Sequence, residues 1–162
     1  MRGRRACPIG GGKQSFCRWF IKELGNPLEM TRILVVEDDD AIRGLLSEVL
    51  REDGYQVREA TNGVEALATV RELRPDLIVL DLMMPVMNGW TFLEECRRSD
   101  GCAEIPVVVT SASHDLPRTA DKLRTMGVRT CLAKPFDVDG LLALVERYAP
   151  SELAATSESP ES

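Results

Sequence analysis

Several features that define whole classes of protein are missing from this sequence of 162 residues. No apolar run approaches the length of a membrane span, so membrane insertion is not expected. The apolar patch at 16–21 is interrupted by Arg18, which makes it a poor signal peptide. The five cysteines are odd in number and include no C-x-x-C pair. This argues against a disulfide scaffold or a zinc site and favours a reducing, cytoplasmic location.

The sequence also lacks the excess of positive charge that typifies nucleic-acid-binding proteins. Its formal net charge is −6, so nucleic acid is not expected as a direct partner. The charge is uneven, because residues 1–29 are basic, the middle of the chain is acidic, and the last residues carry glutamate without any basic residue. The only histidine, His114, has no helix-bundle context for a phosphorylated relay residue and is expected to be a solvated surface group.

The composition, 44% hydrophobic and 28% charged, is that of a globular protein with enough apolar material for a core. We predict one domain over residues 30–149. The flanking segments, 1–29 and 150–162, are predicted to be disordered. Met30 directly precedes the first predicted strand and is a candidate functional start, with a basic targeting arm over 1–29 as the alternative.

Short apolar runs alternate with helical patterns along that domain. Five runs are predicted to be strands, and three are nearly all apolar, which is typical of parallel strands buried on both faces. The runs are 32–36, 55–59, 76–80, 105–109 and 128–132. Five further segments have the apolar spacing of a helix face, and the first carries Ile42, Leu45, Leu46, Val49 and Leu50. This alternation predicts a doubly wound α/β domain.

Polar side chains stand where the predicted strands end. Glu37 and Asp38 follow the first strand, and Asp81 follows the third. Thr110 follows the fourth strand, and Lys134 comes just after the fifth. In a parallel sheet these strand ends share one edge, where open α/β sheets bind ligands. If the first and third strands are neighbours, the three acidic residues converge there.

Each of these residues also has an ordinary structural explanation. Acidic residues at the start of a helix cap its backbone and favour its dipole, and we interpret Asp39 and Asp40 in this way alone. Asp81 alone could start a turn, and Lys134 alone could be a surface lysine. Mutually suitable groups at four strand ends are much harder to obtain by chance, so a combined site is predicted.

Three converging carboxylates repel one another and need cations. Lys134 supplies one positive charge, and a divalent metal with oxygen ligands supplies the other. Few carboxylates and several waters suit Mg²⁺ better than Ca²⁺, and Mg²⁺ held in this way usually has a phosphate nearby. Thr110 and Lys134 would then serve the phosphoryl oxygens, and Asp81 is the candidate nucleophile that forms an acyl phosphate.

The segments ILVVEDDDAIR, LIVLDLMMPVMNGW, VVVTSAS and CLAKPF, in this order and spacing, resemble the receiver domain of two-component response regulators. The resemblance covers essentially the whole predicted domain. It implies a flavodoxin-like fold with five helices and a five-stranded parallel sheet in the order 2-1-3-4-5. It also implies a stand-alone signalling protein similar to the chemotaxis regulator, rather than an enzyme.

The resemblance implies a role for each site residue. Asp81 would accept a phosphoryl group from the phosphohistidine of a sensor histidine kinase or phosphotransfer protein in a phosphorelay. Asp38 and Asp81 would bind Mg²⁺, Glu37 would act on it mainly through water, and the backbone carbonyl of Met83 would complete the protein ligands.

Two further residues would serve the phosphoryl group itself. Lys134, joined to Pro135 by a cis peptide bond, would hold the group, and Thr110 would move toward it. An unidentified downstream protein would bind the face formed by helix four, strand five and helix five.

One position departs from the family pattern. Many members carry Tyr or Phe three residues before the lysine, and its ring swings inward as the threonine moves. Here the residue is Cys131, whose small thiol cannot gate a cavity as a ring does. We interpret Cys131 as a small buried filler, with a redox sensor as the alternative.

Three other functions have specific counter-indications. A phosphatase of the haloacid dehalogenase type needs a second acid two residues after the nucleophile, where this chain has Met83. A flavin-binding domain needs a phosphate loop after the first strand, where EDDDA offers negative charge instead. A degenerate receiver that works without phosphate is not favoured, because the acidic set is intact.

The residues two past the aspartate and two past the threonine predict a long-lived phosphorylated state. In this family they influence the access of hydrolytic water, and here they are Met83 and Ala112, which have no group to orient water. We expect slow self-dephosphorylation, measured as loss of the phosphorylated mass over time after the donor is removed. Decay within seconds without a phosphatase would contradict this expectation.

Overall fold

The computed structural model describes residues 30–112 and 116–149. The two flanking segments predicted to be disordered, and His114, lie outside the described residues. Five strands alternate with five helices. The strands are β1 (Arg32–Val36), β2 (Gln56–Ala60), β3 (Leu77–Asp81), β4 (Val107–Ser111) and β5 (Val128–Ala133). The helices are α1 (Asp40–Glu52), α2 (Gly63–Leu73), α3 (Gly89–Arg98), α4 (Leu116–Thr125) and α5 (Val138–Tyr148).

All strand pairs are parallel, and the sheet order is β2-β1-β3-β4-β5. The predicted flavodoxin-like arrangement is therefore confirmed. Every residue of β3 and β4 is buried, as expected for central strands covered on both faces. The chain returns from β2 to the far side of β1 to form β3, so the topological switch point lies between β1 and β3.

The core has two layers because successive strand residues point to opposite faces of the sheet. On one face the strands pack against α2, α3 and α4 through residues that include Ala66, Phe92 and Leu123. On the other face they pack against α1 and α5 through residues that include Leu46 and Leu141. The sheet is thus held rigidly from both sides, which fixes the positions of its strand ends.

Four of the five predicted strands had bounds that were wrong by one or two residues, and β5 differs only in ending one residue later, at Ala133. β2, β3 and β4 each begin later than predicted and include the residue that was placed after the strand. Asp81 and Thr110 therefore lie in the sheet itself, paired side by side in register. The shift at β4 follows from Pro106, which has no N–H for a ladder bond, although its carbonyl accepts from Ile78 N at 3.0 Å.

Two side-chain predictions also need correction. Leu45 was assigned to the buried face of the first helix, but it is 50% exposed because the buried stripe of α1 runs through Leu46, Ser47 and Leu50. The cysteines were not expected to pair, but Cys96 and Cys102 form a disulfide. The bond joins the last turn of α3 to the loop before β4, and the turn between them is closed by the bonds from Ser99 N to Cys96 O and from Cys102 N to Ser99 O.

The capping predictions for the first helix are confirmed in outline. Asp39 is the N-cap of α1, and its carboxylate accepts from Ala41 N at 2.9 Å and Ile42 N at 3.0 Å. Asp40 lies in the first turn and pairs with Arg43. The carboxylates of Asp39 and Asp40 thus act at the start of α1, and neither residue is assigned to the acidic site.

Two helical glycines predict opposite effects of the same substitution. A Cβ at Gly44 on α1 would meet nothing within 4 Å, so Gly44→Ala should stabilise the protein by about 0.5–1 kcal/mol through helix propensity. A Cβ at Gly89 would lie 2.5 Å from the Asp81 carbonyl oxygen and 2.8 Å from Leu82 Cα. Because both are backbone atoms, Gly89→Ala should destabilise by about 1–3 kcal/mol.

Urea unfolding midpoints of the two variants would check this pair. If both variants were more stable than the wild type, the prediction for Gly89 would be wrong, because the backbone after β3 would have moved aside at little cost in free energy.

Candidate functional site

The first strand places two acidic residues at the carboxyl edge of the sheet. Glu37 directly follows β1, and its backbone N–H donates to Ala60 O at 3.1 Å, which continues the ladder with β2. Its side chain is only 2% exposed, whereas Asp38 is exposed. A buried glutamate next to an exposed aspartate gives the pocket one inner and one outer carboxylate.

The third strand ends in the aspartate that completes the acidic cluster. Asp81 is 4% exposed, and its Oδ1 accepts from Met83 N at 3.2 Å. Glu37, Asp38 and Asp81 each offer an oxygen atom within 4.8 Å of the others. The predicted convergence of the three carboxylates is therefore present in the fold, and the switch point between β1 and β3 is its cause.

Lys134 brings the fixed positive charge into this cluster. Its Nζ donates to Glu37 Oε2 at 2.7 Å and lies 3.4 Å from Asp81 Oδ2. Two backbone features hold it there. Lys134 N donates to Ser111 O at 2.8 Å, and the Lys134–Pro135 peptide is cis, as predicted. The lysine is mostly buried, so solvent screens these contacts poorly.

Thr110 lies beside the aspartate on the neighbouring strand. It is paired with Asp81 in the β3–β4 register, it is buried, and its carbonyl accepts from Leu82 N at 3.3 Å. The remaining predicted ligand, Met83, lies in the loop after β3 and is 66% exposed. The site residues named from the sequence therefore all lie at one sheet edge.

One residue that supports the acidic loop was missed by sequence reasoning. Arg43 on α1 donates from Nη1 to Glu37 O at 2.9 Å and also contacts Asp38 O at 3.4 Å. It also lies 3.5 Å from Glu59 on β2. The only signal in the sequence was an arginine one helical turn after an acidic run, which is common on solvated helix faces.

The charges of the cluster perturb one another. Burial raises the pKa of Glu37, the Asp81 charge raises it further, and the hydrogen bond from Lys134 only partly offsets both. For Lys134, burial alone would lower the pKa, but the hydrogen bond to Glu37 and the charges of Asp81 and Glu37 outweigh it and raise the pKa. Lys134 is thus held as an ammonium, but its positive charge does not fully offset the cost of burying the Glu37 carboxylate.

The donor set fits Mg²⁺. All three side chains offer carboxylate oxygen, the exposed Asp38 leaves room for water ligands, and one lysine does not balance three acids. A hard dication that keeps several waters and takes few carboxylates matches this arrangement. Within residues 30–112 and 116–149, this is the one group of three or more acid, histidine or cysteine ligands that could hold an ion.

The departure at Cys131 is also visible in the structure. The residue lies on β5, is half-buried beside the apolar core, and has its thiol pKa raised by burial. A raised thiol pKa disfavours the reactive thiolate. This supports the interpretation of Cys131 as a small filler over that of a redox sensor.

Comparison with known families decides the class of this fold and site. The family model for the response regulator receiver domain matches residues 33–146, which covers most of the chain. The chain belongs to the response regulator receiver family. The predicted resemblance is thereby confirmed.

Curated relatives of this receiver differ in how much of their length it covers. It is 38% identical over 119 residues to sporulation initiation phosphotransferase F of Bacillus subtilis, covering 74% of this chain and 94% of that protein. It is 42% identical over 118 residues, 72% of this chain, to the DNA-binding dual master transcriptional regulator RpaA of Synechocystis. There it spans only 48% of the relative's length.

Solved structures agree with the fold. The chemotaxis protein CheY4 of Vibrio cholerae has a TM-score of 0.69 and 32% identity, covering 74% of this chain and 98% of that one. The receiver domain of the Pseudomonas aeruginosa sensor histidine kinase PA1611 has a TM-score of 0.67 and 27% identity, covering 75% and 99%. That structure has a magnesium ion in its active-site cleft. In the described part of the present receiver, no helix is long and apolar enough to cross a membrane.

The raised pKa of Glu37 predicts how stability depends on pH in metal-free protein. The folded state holds this proton more tightly than the unfolded chain, so its contribution is full below the ordinary pKa of 4.5 and is lost as pH rises through the raised value. Glu37→Gln in EDTA should therefore gain stability relative to the wild type as the pH rises toward about 7.

Urea midpoints across this pH range would measure the effect, with exposed Glu48→Gln on α1 as the control. A variant that is less stable than the wild type at neutral pH would mean that the bond to Lys134 outweighs the burial of the Glu37 charge.

Proposed function

We propose that this receiver accepts a phosphoryl group on Asp81 and signals through its phosphorylated state in a two-component pathway. The observation that carries the proposal is the position of the Asp81 carboxylate, buried at the switch point between two other acids and Lys134. Its family membership and its 38% identity to a phosphotransferase of sporulation support the same conclusion. The donor class is a phosphohistidine on a sensor histidine kinase or phosphotransfer protein.

In the proposed reaction an Asp81 oxygen attacks phosphorus, the phosphorus–nitrogen bond of the donor breaks, and the imidazole leaves with that electron pair. The product is an acyl phosphate. Such a transfer depends mainly on positioning and on neutralising charge at the phosphoryl oxygens. Lys134 is already within 3.4 Å of Asp81 Oδ2 and would pair with an incoming phosphoryl oxygen. Thr110, beside Asp81 in the sheet, would donate its hydroxyl to another.

Mg²⁺ would be held by Asp38, Asp81 and the Met83 carbonyl, with Glu37 acting mainly through water. When bound, the ion supplies positive charge that offsets both the acidic cluster and the phosphoryl group. Lys134 fixes the inner side of this site through Glu37. Arg43 fixes the backbone of the acidic loop through the Glu37 carbonyl.

A stand-alone signalling role is the output we favour. The downstream partner would bind the face formed by α4, β5 and α5, because Thr110 and Lys134 lie next to those elements. We place the protein in the cytoplasm and propose no nucleic-acid contact of its own. The domain limits 30–149 are part of the same proposal.

The alternative function is that of an enzyme, an aspartyl-phosphate phosphatase. It is disfavoured because the residue two past Asp81 is Met83, an exposed apolar side chain where that mechanism needs a second acid. A degenerate receiver is disfavoured because the acidic cluster and the lysine are both in place.

Phosphorylation of Asp81 would be tested by intact-mass measurement with Mg²⁺ and a small acyl-phosphate donor. The wild type should gain one phosphate, Asp81→Asn should gain none, and EDTA should abolish the gain. Lys134→Ala should slow the reaction by about 100-fold, because a charge partner of the transferred group is lost. Asp39→Asn is the matched control. It removes the negative charge of a neighbouring residue, while asparagine can still cap the helix.

Phosphate gain by Asp81→Asn at the wild-type rate would overturn the assignment of the acceptor. Continuous release of phosphate from a generic phosphate ester would instead favour the phosphatase.

A further inference from the structure

The disulfide between Cys96 and Cys102 has no part in the proposed phosphoryl transfer. Cys96 lies in the last turns of α3, and Cys102 lies in the loop that leads to β4. Their Cα atoms are 5.2 Å apart, within the ordinary range for a bonded pair. Both residues belong to the layer of the apolar core that lies between the sheet and helices α2, α3 and α4. Neither cysteine belongs to the acidic cluster of Glu37, Asp38 and Asp81.

A cleft of about 350 Å³ lies against one of the two cysteines only. Cys102 is among its lining residues, together with Gly101, Asp100, Arg71 on α2 and Arg74, the residue that caps the C-terminal end of α2. Cys96 does not line it. The two cysteines therefore differ in their access to small molecules, although both are almost fully buried.

The cleft is electropositive next to the sulfur. It contains two arginines and one aspartate. The Arg74 guanidinium packs against Gly101, where a Cβ would come within 2.6 Å of its Nη2 atom. Gly101 also has a φ of 88°, so a glycine serves this position in two ways. A guanidinium held one residue from Cys102 favours an anionic reagent over a neutral one.

The loop that carries Cys102 is held by short-range bonds. Cys102 N donates to Ser99 O at 3.2 Å, and Ile105 N donates to Cys102 O at 3.1 Å. These are turn contacts outside the helices and strands. Such a segment opens locally at a lower free energy than the surrounding core, which would expose the Cys102 sulfur to the cleft.

We propose that Cys96 and Cys102 form a reversible thiol–disulfide exchange site, entered at Cys102 from the basic cleft by a small anionic thiol. In reduction, the thiolate of the small molecule bonds to Cys102 Sγ, the Cys96–Cys102 bond breaks, and Cys96 leaves as a thiolate that takes a proton from water. A second thiol attacks the mixed disulfide, frees Cys102 and leaves as the oxidised small molecule. Oxidation by the corresponding small disulfide is the reverse sequence.

The entry point is tested with single-cysteine proteins. In a full-length background with Cys7, Cys17 and Cys131 changed to Ser, Cys96→Ala leaves Cys102 as the only thiol, and Cys102→Ala leaves Cys96. Both single-cysteine proteins would be incubated with oxidised glutathione, and their intact masses would then be measured. We expect one glutathionyl group on the Cys96→Ala protein and none on the Cys102→Ala protein over the same time. Equal labelling, or labelling of Cys96 alone, overturns the proposal.

The preference for an anion is tested on the wild-type disulfide, so it does not depend on the folding of a cysteine variant. Reduction by mercaptoethanesulfonate and by mercaptoethanol would be compared, each relative to its rate with an uncharged model disulfide. The anionic thiol should be favoured about tenfold at low ionic strength, and salt should remove the preference. Arg71→Gln should reduce the preference, whereas Arg58→Gln should not, because Arg58 is an exposed residue of β2 that does not line the cleft.

Two results would sink the idea. One is an equal relative rate for the two thiols at low salt. The other is failure of the reduced protein with Cys7, Cys17 and Cys131 changed to Ser to lose two hydrogen masses when it is treated with oxidised glutathione. Neither result bears on phosphorylation of Asp81, so the two proposals stand or fall separately.

Discussion

The contact of the Lys134 ammonium with Glu37 and Asp81 is the interaction on which the carboxyl edge of this sheet depends. Two nearly buried carboxylates side by side are unfavourable, because desolvation and mutual repulsion both oppose their charges. The lysine offsets part of that cost at 2.7 Å and 3.4 Å. Asp38 adds a third negative charge that the lysine does not match. The pocket therefore keeps an excess of negative charge, which favours a dication over a bare phosphate.

The topology explains how residues so distant in sequence meet. Glu37 and Lys134 are 97 positions apart, yet their side chains are hydrogen-bonded. Since every strand of the sheet is parallel, each ends at the same edge, and the reversal of strand order between β1 and β3 leaves a crevice there. The two-layer core fixes the position of this edge. The hydrogen bond from Lys134 N to Ser111 O fixes the position of the lysine backbone beside the end of β4.

The sequence allowed the fold and the acidic site to be predicted for one physical reason: both depend on short-range patterns. Buried parallel strands are almost wholly apolar, so a polar residue at a strand end is conspicuous. Bounds at Asp81 and Thr110 could not be placed, because a polar residue in the last position of a strand looks the same as one that follows it. The exposure of Leu45 depends on how α1 sits on the sheet, which its apolar spacing alone does not fix. The pairing of Cys96 with Cys102 depends on where α3 ends and how the chain turns after it, and the cysteine spacing alone does not show that.

The structure also constrains how phosphorylation could be relayed. Cys131 is in register with Val109, one residue before Thr110, so the usual aromatic position is directly beside the strand that would respond. A small thiol leaves no ring to rotate. Two backbone bonds outside the regular ladder lie at this end of β4, from Leu82 N to Thr110 O and from Lys134 N to Ser111 O. A shift of Thr110 toward a phosphoryl group would therefore be transmitted to β5 through the strand itself, and the response at α4 would depend on backbone movement rather than on an exchange of side-chain rotamers.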